Sequence, residues 1–274
     1  MPDFGLTAGL GIALALGSST LLALGGWFQW QGLQTLGTNP SLKRILQLPL
    51  WLGGLLASAC GTIAYHGALL LAPLTLVQPL SSLHVAFTAG LAWRSRRVRY
   101  REWLALALCL TGTVCLALTD ISTSSDHVNW IPLAGLVLAG ALPLALPAPA
   151  RLAPFWPALR AGLCYGLSAI LWKAGMALPA LSPAWVLLLA LFTAGFLGGF
   201  VFLQIAFRKL DAGTANALAA CVAALFPLPA GLWVFHEAPT ALSLFAAATT
   251  VLGVFLLGTA TRPLNAAPGN PPKP

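Results

Sequence analysis

The hydrophilic breaks in this chain are short, and the stretches between them are long enough to cross a lipid bilayer. Nine apolar segments run at about 4–30, 46–71, 74–93, 102–119, 130–147, 158–178, 184–207, 212–235 and 241–260. A bilayer core needs roughly 20 apolar helical residues, and a spanning chain must satisfy its backbone hydrogen bonds internally. The runs are too long and unbroken for barrel strands, which alternate over about 10 residues. Composition agrees: 58% of the residues are hydrophobic and 7% are charged, against roughly 25% charged in soluble domains. The expected fold is an all-α integral membrane protein with about nine transmembrane helices.

Charge placement orients the helices. Breaks after the odd-numbered segments carry Lys43 and Arg44; Arg94, Arg96, Arg97, Arg99 and Arg101; Arg151 and Arg160; Arg208 and Lys209. The tail adds Arg262 and Lys273. Breaks after the even-numbered segments, at 72–75, 120–129, 178–183 and 236–240, contain neither Lys nor Arg. Under the positive-inside rule this alternation places the N-terminus outside and the C-terminus in the cytoplasm, as for a multi-pass protein of a cell (inner) membrane. The net charge of +8 thus serves orientation and contact with anionic headgroups. No basic, groove-reading surface for nucleic acid is present. Trp27, Trp30, Trp93, Trp103, Trp130, Trp156, Trp185 and Trp233 fall near span ends, as an interfacial aromatic belt requires. Five cysteines lie in apolar runs without metal or redox spacing and read as free packing residues. Asp3 and the missing basic n-region argue against a cleaved signal peptide. The Pro- and Asn-rich tail, 261–274, reads as disordered.

The sequence also repeats. "AYHGALLLAPLTLVQPLSSLHVAFTAGLAWRSRR", followed by "LALALCLTGTVCLAL", resembles "FLQIAFRKLDAGTANALAACVAALFPLPAGLWVFHE", followed by "LFAAATTVLGVFLLG". The register pairs Ala68 with Ala206, Thr75 with Thr214, Phe87 with Phe226 and Gly112 with Gly253. Earlier, Gly17 pairs with Gly166 and Ser19 with Ser168. Each half therefore has four related spans, at 1–120 and 157–260, with a linking helix and its loops at 121–156. One intervening span sets the halves in opposite orientation. Inverted repeats are characteristic of secondary transporters, with a site near the bilayer midplane at the repeat interface.

The two blocks beginning "LAPLTLVQPL" and "LDAGTANALAAC" resemble the closing parts of the two EamA-type halves of the drug/metabolite transporter superfamily. The nine-span layout and "PLTLVQPL" are similar to its NIPA-like magnesium transporter branch. The resemblance covers about residues 4–260. It implies transport of amino acids, nucleotide sugars, drugs, other metabolites or divalent cations, without choosing among them.

Polar residues inside spans are costly and mark candidate pathways: His66, Gln78, Ser81, Ser82, His84, Tyr165, Ser168, Lys173, Gln204 and Asn216. Gln78 and Asn216 lie in the first turns of the third and eighth spans, beside prolines that can kink or break a helix. Lys173 is the one Lys or Arg within an apolar run. Either it snorkels to the outer boundary, or it faces a cavity with Trp172 and Tyr165 and attracts an anionic group. The expected substrate contacts are Lys173, Gln78, His84, Asn216, Tyr165 and Trp172. Gly5/Gly9, Gly53/Ala57/Gly61 and Gly195/Gly199 are small-residue spacings suited to close helix packing.

Enzyme motifs such as HExxH, GxSxG or a P-loop are missing, and no cofactor or resident metal is expected. The favoured function is alternating-access transport of a small anionic or zwitterionic metabolite. A magnesium-type divalent-cation pathway is the alternative. Its candidate carboxylates, Asp120, Asp126, Asp211 and Glu237, stand at span ends or in loops. A non-transporting membrane scaffold is a third reading. The expected partners are the substrate and the lipid bilayer, with a homodimer left open.

Overall fold

The computed structural model describes residues 4–36, 42–71, 74–93, 99–118, 128–236 and 240–260. They form α1 (Phe4–Gln34), α2 (Leu42–Leu46), α3 (Pro49–Leu71), α4 (Leu74–Trp93), α5 (Tyr100–Leu118), α6 (Trp130–Ala145), α7 (Trp156–Met176), α8 (Pro183–Phe207), α9 (Ala212–Leu225), α10 (Leu228–Trp233) and α11 (Ala241–Ala260). Every apolar segment anticipated above is helical. The eighth comes in two pieces, α9 and α10, parted at Phe226 and Pro227. Proline lacks the N–H that continues the helical ladder, so the break falls where the sequence withdraws a donor. Pro79 and Pro143, by contrast, are accommodated within continuous α4 and α6.

The helix starts are chemically specified. Pro183 opens α8 behind Ser182, whose hydroxyl accepts from Trp185 N at 3.2 Å. Asp211 caps α9, one carboxylate oxygen accepting from Thr214 N and the other from Thr214 Oγ1, both at 2.9 Å. Such caps satisfy amide donors that the helix itself leaves open. The α7–α8 turn reverses through Leu181, which adopts a left-handed φ of 63°.

Among the described residues, three stretches are long and apolar enough to cross a membrane: Gly9–Gln34, Pro183–Phe207 and Ala212–Trp233. Pro49–Tyr65, Trp130–Ala145 and Leu244–Gly253 are shorter apolar helices. Burial is inverted relative to a water-soluble domain. Ile131, Ile63, Leu138 and Phe255 are exposed, while Ala15, Ala68, Ala105, Ala174, Ser18 and Ser19 are fully covered. Helices in lipid gain little by hiding large apolar side chains, and instead use small residues to bring backbones together. The chain is a multi-pass helical membrane protein.

α1 packs on α3 and α4, and α7 packs on α8 and α9; α4 meets α9, α5 meets α11, and α6 lies beside α7 and α10. At the α5–α11 crossing, a Cβ on Gly112 would lie 2.1 Å from Thr250 Oγ1 and 2.7 Å from Ala246 O. A Cβ on Gly253 would lie 2.7 Å from Cys109 N and 3.0 Å from Ala105 O. The two helices are therefore antiparallel and nearly in backbone contact. Small-residue packing holds at Gly61, Gly195 and Gly199, each with neighbours at 3.0 Å or less from a Cβ position. On α3 the tight contact shifts from the anticipated Gly53, which faces open space, to Gly54, 2.7 Å from Gly25 O by the same measure.

Candidate functional site

Two polar groups lie where α1 meets the rest of the molecule. The first is formed by α1, α4 and α9. Gly26 leaves room there for Asn216, whose Nδ2 would be 3.1 Å from a Cβ on that glycine; Thr88 Cγ2 would be 4.0 Å from it. Thr88 is fully buried and its hydroxyl donates to His84 O at 2.7 Å. His84 lines a small cavity with Val85, Cys109, Leu110, Ala217, Ala220 and Cys221, between α4, α5 and α9. Local sequence explains the closeness. Gly26 removes a side chain from α1, and Gly213 brings α9 against Ala89, with 2.6 Å between its Cβ position and Ala89 Cα. Asn216 and Thr88 thereby meet α1 at Gly26, while His84 lines the neighbouring cavity.

The second group joins α1, α3 and α8. Trp51 Nε1 donates to Gln204 Oε1 at 2.9 Å, Gln204 Nε2 to Gln29 Oε1 at 2.5 Å, and Gln29 Nε2 to Ser58 Oγ at 3.0 Å. Gln29 is 2% exposed. Beside this chain, Trp30 Nε1 donates to Leu210 O at 3.1 Å and Gln34 Nε2 to Phe207 O at 2.7 Å. Gln204 was among the polar span residues anticipated from sequence, but Gln29 and Ser58 were not. Gln29 fell at the expected end of the first span, and α1 continues one turn further to Gln34.

The anticipated substrate contacts separate in space. Asn216 and His84 lie in the regions just described. Tyr165 and Trp172 stand on the α7–α8 seam, in an aromatic ladder: Tyr165 to Phe196 at 5.6 Å, Phe196 to Phe192 at 6.2 Å, and Phe192 to Trp172 at 5.1 Å. A Cβ on Gly199 would touch the Tyr165 ring at 2.7 Å, and Trp172 is 47% exposed on the outer surface of the pair. Lys173 occupies the last turn of α7, its Nζ 4.5 Å from the centre of the Phe235 ring. A cation there sits against the negative end of the helix and an aromatic face. The backbone of Gln78 belongs to α4, but its side chain lies outside the described residues, as do those of His66, Ser81 and Ser82.

Carboxylates are sparse near these groups. Asp211 is 6% exposed and engaged as the α9 cap. Glu102, also buried, accepts from Arg99 N at 3.0 Å at the start of α5. Asp120, Asp126 and Glu237 lie outside the described residues. Among the described residues, no three His, Cys, Asp or Glu side chains come together as a metal site would require.

Residues 7–127 match the family model described as magnesium transporter NIPA. A curated Candida albicans (strain SC5314) protein, described as a "Probable magnesium transporter", is 33% identical over 117 residues. That stretch is 42% of this chain and 32% of the relative, so the chain matches about a third of the relative's length. No solved structure matches the chain. The resemblance to the NIPA-like branch seen in the sequence is found again in these comparisons, and it lies in the first half.

Proposed function

We propose that this protein carries a divalent cation, magnesium foremost, across a membrane by alternating access. The observation that carries the reading is the match of residues 7–127 to the magnesium transporter NIPA family. It favours the cation alternative over the anionic or zwitterionic metabolite to which the sequence alone gave preference. Magnesium dehydrates reluctantly and keeps several waters when bound by proteins. A hydrated ion can be handed along by amide and hydroxyl groups, and Asn216 and Thr88 are the polar residues beside Gly26 at the junction of α1, α4 and α9.

The architecture proposed for this function is nine spans in two inverted halves, 1–120 and 157–260, joined by the helix within 121–156. The reciprocal glycine contacts of α5 and α11 support it. The pairing of α1 with α3 and α4, matched by α7 with α8 and α9, supports it as well. The N-terminus then faces outward and the C-terminus the cytoplasm of a bacterial-type inner membrane, following the basic breaks.

Purified protein reconstituted in liposomes around a magnesium-sensitive dye should give magnesium influx that Mn²⁺ or Co²⁺ inhibits. The same liposomes should be offered amino acids and nucleotide-linked metabolites. Saturable uptake of one of these without magnesium flux would return the metabolite reading. In that case Lys173→Met should abolish uptake of an anionic or zwitterionic solute while leaving membrane insertion intact.

A further inference from the structure

We propose that Trp51, Gln204, Gln29 and Ser58 form a latch that holds the two halves together at one end of the bundle, and that this end opens only when the latch breaks. The inference rests on the alternating-access reading above and adds a gate to it.

The order of donors is fixed by chemistry. An indole N–H can only donate, so Trp51 Nε1 sets Gln204 Oε1 toward itself. Gln204 Nε2 then faces Gln29 and meets its Oε1. This leaves the Gln29 amide to donate to Ser58 Oγ. Each amide oxygen, the atom that could ligate a cation, already accepts from a protein donor. The chain of amides thus suits closure better than coordination.

Its location points the same way. Trp51 and Gln29 belong to α3 and α1, whereas Gln204 belongs to α8. Trp30 and Gln34 on α1 add two further bonds to the end of α8 and the turn beyond it. All these residues gather where α1 ends, α3 begins and α8 ends, flanked in sequence by Lys43, Arg44, Arg208 and Lys209. Leu33, Trp51, Phe207 and Leu210 are buried in the same core. Gln29 stands about one helical turn, roughly 4.5 Å, from Gly26 and the Asn216 group. The latch thus lies about one turn nearer than Gly26 to the basic end of α1, on the side of that helix that meets α3 and α8. Breaking the chain leaves the buried Gln29 amide without its partners, so a half-broken latch is disfavoured against the closed and the fully open states.

The test uses the full chain with its five cysteines replaced and one cysteine introduced at Ala217, in the cavity between α4, α5 and α9. In inside-out vesicles, a membrane-impermeant maleimide should label Ala217→Cys slowly in the latched protein. Gln204→Leu should raise the labelling rate several-fold, about five-fold for each hydrogen bond lost. Trp51→Phe removes the N–H along with part of the indole's bulk, keeps a ring against Phe200, breaks one hydrogen bond where Gln204→Leu breaks two, and should give a smaller rise. It carries the test should Gln204→Leu fail to insert. Parent-rate labelling in inserted Trp51→Phe and Gln204→Leu would overturn the latch. Faster labelling in a protein whose parent moves no magnesium would uphold the latch and remove the cation reading.

Discussion

At the scale of single residues, Gly26 and Asn216 make the sharpest statement. A methyl on Gly26 would meet Asn216 Nδ2 at 3.1 Å, so the amide must shift by a few tenths of an ångström. The yielding atom is the tip of a side chain rather than backbone, so the fold should tolerate the change. Gly26→Ala should therefore insert and remain folded while magnesium flux falls about ten-fold, as a roughly 1.4 kcal/mol misplacement of one polar partner would suffice to produce. Flux equal to the parent's in folded Gly26→Ala would move the path away from α1, α4 and α9. Lys173 teaches the opposite lesson. A charge inside an apolar run is the loudest signal a membrane sequence gives, yet α7 ends at Met176 rather than near 178, and Lys173 falls in its last turn. The quieter Gln29 sits fully inside a helix, because the same kind of boundary error ran the other way there. Residue type was readable from the chain, but depth depended on where each helix stops.

Elements were more legible than sites. Length and hydropathy locate the helices to within a few residues because lipid imposes both. The face each helix presents is harder to read, because a run apolar all round shows no amphipathic stripe. Tyr165 and Trp172, seven residues apart, share a face of α7, but that face meets the aromatic side of α8. Gly53 and Gly54 show the same ambiguity, and only backbone contact with Gly25 chooses between them. The choice yields a paired prediction. Gly112→Ala places a methyl 2.7 Å from a backbone oxygen of α11, so α5 and α11 must part, at a cost of about 1–3 kcal/mol. Gly53→Ala meets nothing within 4 Å and should be neutral, or stabilising by up to about 1 kcal/mol through helix propensity. Denaturant titration of the purified variants in detergent micelles measures both. Equal stability of Gly112→Ala and Gly53→Ala would mean that α5 and α11 do not touch as described.

At the scale of the whole molecule, the α5–α11 crossing tests the architecture without reference to cargo. The repeat register that sets Gly112 against Gly253 also sets Ala105 against Ala246 and Cys109 against Thr250. Gly112 rests on Ala246 and Thr250, while Gly253 rests on Ala105 and Cys109. Each helix thus offers its partner the surface that the partner offers in return, as a two-fold relation between like elements requires. In the proposed architecture the axis relating these antiparallel helices lies across them, in the plane of the membrane. Such an axis inverts one half relative to the other, and halves of four spans each achieve this only if an odd number of spans joins them. α6, placed against α7 and α10, is the element available for that crossing. The two ends of the chain should then lie on opposite sides of the bilayer. A reporter active only outside the cytoplasm should work when fused ahead of Phe4 and fail when fused behind Ala260, and a cytoplasm-only fluorophore should show the reverse. Activity of one reporter at both ends would mean an even number of crossings. In that case α6 does not span, and the reciprocal glycine contacts need an explanation other than inversion.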